Sequence, residues 1–105
     1  MKIIKCLSEK IEDELQDASE YIELAMKWKS EYPDAAELFY ELSTEEMEHM
    51  NKLHQAVQDM IEEERKVNGA PPKEMMTLYD YLHEKHMAKA TKIKVMQGMY
   101  KMQED

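Results

Sequence analysis

Disulfides, tight turns and membrane spans all find little support in this sequence. One Cys, two Gly and three Pro occur in 105 residues. The single Cys6 excludes a disulfide within the chain, and no Cys or His stands near it at zinc-binding spacing, so a reducing, cytoplasmic setting is expected. The opening MKIIKCL is too short an apolar run for a signal peptide. No other stretch approaches the ~18 consecutive apolar residues of a spanning helix, and no membrane partner is expected. Positive charge is also scarce: 14 Lys and Arg against 23 Asp and Glu leave a net charge of −9. An anionic surface of that size disfavours nucleic acid and acidic membranes as partners. The length suits one domain over residues 1–105 with one core, and it is short for a self-contained enzyme with a deep cleft.

What is abundant is Glu, Lys, Leu, Met and Ala, with few β-branched residues, which predicts an all-α chain. The rare breakers say where its helices stop. Tyr32-Pro33 is an X-Pro step that disfavours helix at Tyr32. Asn68-Gly69 followed by Pro71-Pro72 offers a glycine cap and then a barrier. Three helices follow, over residues 8–30, 34–67 and 73–103, joined by short connections that make neighbours antiparallel. The second would be about 50 Å long at 1.5 Å per residue, so part of it must outrun the first and pack on the third helix or on another subunit.

Stepping alternately by three and four residues, the first helix presents Leu7, Ile11, Glu14, Ala18, Tyr21, Ala25 and Trp28. The second presents Ala35, Phe39, Leu42, Glu46, His49, Leu53, Ala56 and Met60. Glu14, Glu46 and His49 are the ionisable members of these apolar rows. Their heights match: Glu14 lies about 18 residues before a turn centred near residue 32, and Glu46 and His49 lie about 14 and 17 after it. Burying carboxylates without partners costs several kcal/mol, so a cation or a hydrogen-bond network is expected there. Glu46 and His49 are one turn apart and converge. Two carboxylates and an imidazole suit iron or manganese, and facing helices of a bundle would supply further ligands.

The stretch Glu14-Leu-Gln-Asp-Ala-Ser-Glu-Tyr21, the Pro-containing turn, Phe39 and Glu46-Met-Glu-His49 resembles the first helical hairpin of ferritin-like proteins, rubrerythrins especially. The resemblance covers about residues 10–60. It implies a di-iron or di-manganese carboxylate site in which Glu14 is a terminal ligand, Glu46 bridges two ions and His49 is a terminal ligand. Tyr21 would be a nearby redox-capable phenol. The implied reaction is oxidation of Fe(II) by oxygen or peroxide. Such sites take a Glu and an ExxH from each of two hairpins, and this chain has one. A twofold homodimer would supply the other, as in the similarly short encapsulated ferritins.

Alternatively, Glu84 with His83 or His86 of the third helix closes an asymmetric site within one chain. That helix is apolar most of the way round its first half, as expected of an element wedged between its own hairpin and a partner. The overall expectation is a three-helix ferritin-like antiparallel bundle completed by dimerisation. A metal-free helical scaffold module that retains only a vestige of the site is the alternative. His54, the methionines and Lys85, Lys89, Lys92, Lys94 and Lys101 read as interface, core and solvated face. The absence of Cys pairs removes the usual electron-transfer module of rubrerythrins.

Overall fold

The structure, a computed structural model, describes residues 2 to 103. Three helices account for nearly all of them: α1 (Lys2–Trp28), α2 (Pro33–Asn68) and α3 (Lys73–Met102), with no strand among the described residues. The breakers act as their chemistry requires. Pro33 opens α2, where a missing N–H costs nothing. Gly69 ends it at φ 78°, a left-handed conformation that only glycine adopts freely, and its N–H donates to the Arg65 carbonyl at 3.0 Å. The first helix begins at Lys2 rather than at residue 8, because Ile4 is buried and extends the apolar row by two turns. None of the helices is long and apolar enough to cross a membrane.

The chain runs up, down and up. Ser43 meets Ala18 across the α1–α2 hairpin, Gln97 meets Ser43, and both His86 and Lys89 meet Glu12, so α2 is antiparallel to the other two helices. The rod measures 55 × 18 × 17 Å, a length set by the 36 residues of α2.

The core lies one residue away from the marked row on α2, and on α1 it follows an adjacent row that shares Ile11, Ala18 and Ala25 with the marked one. Its centre on α1 is Ile11, Leu15, Ala18, Ile22 and Ala25, and on α2 it is Ala36, Ser43, Met47, Met50, Val57 and Ile61. Ala90, Ile93 and Tyr100 complete it from α3. Small residues line the closest approach: Ala18, Ala25, Ala36 and Ser43 are fully buried. The Ser43 hydroxyl is satisfied twice, donating to the Ala18 carbonyl at 2.8 Å and accepting from Gln97 Nε2 at 2.9 Å. That polar knot ties all three helices at one level.

Leu7, Glu14, Tyr21 and Trp28, with Phe39, Leu42, Glu46, Leu53, Ala56 and Met60, are half-buried instead. They form a second, continuous face of the hairpin. The third helix does not cover that face, because it docks through Glu12 and Gln16 of α1, and Glu14 points about 200° away from Glu12 round the helix.

Candidate metal centre

On this uncovered face the donor atoms of Glu14, Glu46 and His49 all lie within 4.8 Å of one another. Helix geometry supplies the pairings. Glu46 and His49 are a turn apart on α2, and the antiparallel register brings Glu14 of α1 opposite them. His49 Nδ1 is 3.5 Å from Glu14 Oε2 and 3.7 Å from Glu46 Oε2. The two carboxylates sit low in the face, their side chains 25% and 18% exposed, whereas the imidazole is 53% exposed and forms the outer edge. Glu14 Oε2 is buried and has no hydrogen-bond partner. An orphaned carboxylate oxygen beside a second carboxylate and an imidazole is an arrangement that a divalent cation would satisfy. The donor set of oxygen with one nitrogen fits iron or manganese.

Tyr21 lies on the same face, two turns along α1, and its ring stacks on Phe39 at 6.3 Å. Trp28, Tyr32, Ala35 and Phe39 line a shallow recess of about 210 Å³ nearer the turn. The cluster is therefore set into an aromatic and aliphatic surface rather than a cleft.

The third helix contributes nothing to this cluster, contrary to the single-chain arrangement. Glu84 is exposed. His83 stacks between His54 and Tyr79, with centroids 4.8 and 6.0 Å away. His86 is buried, and its Nε2 lies 3.0 Å from Glu12 Oε2. All three are absent from the cluster because α3 occupies the opposite side of the hairpin. Glu12 was invisible as a partner in the sequence, since on α1 it falls between the core row and the solvent side. Its one signal was its place on the face that also carries Gln16. Among the lysines, Lys89 reaches Glu12 at 3.3 Å and Lys101 reaches Glu37 at 3.5 Å, and Cys6 is exposed and free.

The electrostatics of the α3 side favour neutral histidines. Burial pushes the His54 imidazole below its ordinary value of 6.5, and the charges of His83 and His86 push the same way. Burial likewise lowers His86 and outweighs the opposing pull of Glu12, with Lys85 and His83 adding to the fall. Burial alone would raise Glu12, but the hydrogen bond and charge of Lys89, with His86 and Lys85, bring it below 4.5. Groups depressed in the folded state stabilise it above their unfolded values and lose that contribution as pH falls through the folded ones. Stability of the chelator-stripped protein is therefore expected to be flat above pH 6.5, to decline below it as His54 and His86 take up protons, and to fall further below 4.5 as Glu12 does. Urea midpoints measured from pH 8 to 4 check this, and His54→Ala should flatten the upper part of the decline.

The arrangement agrees with what comparison of the whole chain finds. A family model described as Rubrerythrin matches residues 5–105. No curated protein and no solved structure matches the chain.

Proposed function

Because this chain belongs to the rubrerythrin family, a ferritin-like family, we propose that Glu14, Glu46 and His49 are one half of a di-iron or di-manganese carboxylate centre shared across a twofold homodimer. The observation that carries the reading is the buried Glu14 Oε2, which has no hydrogen-bond partner, in a group whose donors with those of Glu46 and His49 lie within 4.8 Å of one another, on a face that α3 leaves open. Three donors from one chain are too few for a stable redox site. Twofold apposition of the same face would double them and bury the Tyr21, Phe39, Leu42 and Leu53 surface in one event.

In this reading Glu46, the least exposed donor, would bridge the two ions, and Glu14 and His49 of each chain would terminate them. A pair of such ions supplies electron transfer and open positions for oxygen or peroxide, and the expected activity is oxidation of Fe(II). The chain's own part is to fix donors on two rigid helices, to exclude water with the aromatic surface round Phe39, and to hold the phenol of Tyr21 nearby. The carboxylates carry the negative charge that attracts and balances the cations.

Metal analysis of chelator-stripped protein reloaded with Fe(II), with oligomer mass measured on the same samples, tests this. One ion per chain in a dimer is expected, and loss of metal in Glu46→Ala. Absence of metal from both proteins would overturn the reading. The metal-free scaffold alternative draws on the contacts of His49 with both carboxylates at 3.5 and 3.7 Å, a self-contained ion cluster when the imidazole is protonated. It predicts a melting temperature that chelation leaves unchanged.

A further inference from the structure

At the end of the bundle away from the α1–α2 turn, the first turns of α1 and α3 run side by side and enclose an open cleft of about 630 Å³. Glu12 with His86, 3.0 Å apart, is the last ion pair between these two helices in that direction, and it closes the inner end of the cleft. The third helix lines the cleft with Met75, Leu78, Tyr79 and Leu82, and α1 lines it with Ile4, itself 8% exposed. Lys2, Lys5 and Lys85 stand among these apolar groups. The cluster of Glu14, Glu46 and His49 shares no residue with it.

We propose that this cleft binds one long-chain carboxylate per chain, with the alkyl tail against Ile4, Leu78 and Leu82 and the anionic head at Lys2 and Lys5.

Size and shape support it. The volume falls in the range of roughly 300–1,000 Å³ that small-molecule sites occupy. From Lys2 to Glu12 the lining follows α1 for about 15 Å at 1.5 Å per residue, a length that suits an extended acyl chain rather than a compact ring. Leu78 belongs to this lining yet is 59% exposed, so an alkyl chain laid along it would take apolar surface out of water.

Charge supports it independently. The chain carries a net charge of −9, yet three lysines line the cleft against two glutamates. One of the glutamates, Glu12, is already matched by Lys89 at 3.3 Å. Lys2, Lys5 and Lys85 form no salt bridge among the described residues, so their charge is available to a ligand. Lys2 and Lys5 are one turn apart on α1 and can converge on one carboxylate.

The same features weigh against other occupants. A second copy docked through this face by a twofold would bring the lysines of both chains together. An inorganic anion would leave the apolar wall in water. An anionic membrane surface would be repelled by the net charge of the chain.

The test uses cis-parinarate, a fatty acid that fluoresces when it leaves water, and its displacement by dodecanoate below the micellar concentration. The full chain is first stripped with chelator, so that no metal ion can hold the carboxylate. Saturable binding of one parinarate per chain is expected, with dodecanoate displacing it at least tenfold more strongly than dodecanol or dodecyltrimethylammonium. Leu78→Asp, at an exposed position, should weaken binding at least tenfold, and Lys2→Glu combined with Lys5→Glu at least fivefold. Absence of saturable binding, equal displacement by dodecanol, or unchanged affinity in Leu78→Asp would overturn the proposal. So would a ligand-free dimer that Leu78→Asp dissociates in light scattering, which would give the face to a second copy, or binding to phosphatidylcholine vesicles without binding to the free acid. Should Leu78→Asp lose helical circular dichroism, the paired lysine variant, at two exposed positions, is held to its fivefold criterion.

Discussion

Leu15→Ala is expected to lower the unfolding free energy by about 2 to 5 kcal/mol, the range for truncating a fully buried leucine. Leu15 is 0% exposed, between Ile11, Ala18 and Ile22 on the row of α1 that faces both other helices. In the antiparallel register that sets Ala18 against Ser43 and Glu14 beside Glu46 and His49, Leu15 lies level with the buried Met47 and Met50 of α2. Against a total stability of order 5 to 15 kcal/mol for a domain of this size, that loss brings the protein close to unfolding at ordinary temperature. Urea unfolding followed by circular dichroism measures it. Leu38→Ala is the control: that leucine is 53% exposed on α2, and its truncation should change stability by less than about 0.5 kcal/mol. Equal effects at the two positions would mean that the core does not lie on the Leu15 row.

The second large effect is expected at the open face. If the proposed twofold holds, Phe39→Glu should convert the dimer to monomer and remove most of the iron or manganese loaded into it, although Glu14, Glu46 and His49 all remain. Phe39 is half-buried against Tyr21, so the monomer tolerates a polar side chain there. In the proposed twofold the same position becomes fully buried, and a carboxylate without a partner costs several kcal/mol. A few kcal/mol at an interface is a hundredfold or more in the dimer dissociation constant, since about 1.4 kcal/mol is tenfold. Light scattering and metal analysis on one preparation read both quantities. Metal retained at full stoichiometry in a monomer would assign the ion to a single chain, and a dimer that survives the substitution would place the twofold elsewhere. Glu14, Glu46 and His49 are left untouched in this variant, so loss of metal would report the missing partner rather than a missing ligand.

The contrast between Glu14 and Leu15 shows what periodicity can and cannot resolve. Two adjacent rows on α1, one through Glu14 and Tyr21 and one through Leu15 and Ile22, share Ile11, Ala18 and Ala25 and are both predominantly apolar. The first reads as core in isolation. In the structure it is the half-buried flank, because α3 draws the centre of the core toward its own side. The same one-residue offset on α2 exchanges Phe39 and Glu46 for Tyr40 and Met47, and Tyr40 stacks on Tyr100 of α3 at 4.9 Å. Both rows are apolar for a physical reason: a hairpin that packs on one helix and presents a second face has two surfaces to keep from water.

Helix number, the breaks at Pro33 and Gly69, and the common height of Glu14, Glu46 and His49 were determined by the sequence alone. Each depends on local backbone chemistry or on chain distance from a turn, and neither needs a third element. Only the tertiary structure decided which side of the hairpin α3 takes. Its apolar residues run most of the way round the helix, so no stripe selects a face, and the choice rests on the joint fit of Ser43, Gln97, Tyr100 and the Glu12–His86 pair. That choice separates His83 and His86 from the carboxylate cluster, leaves the cluster open on its outer side, and sets His83 against His54 and His86 against Glu12.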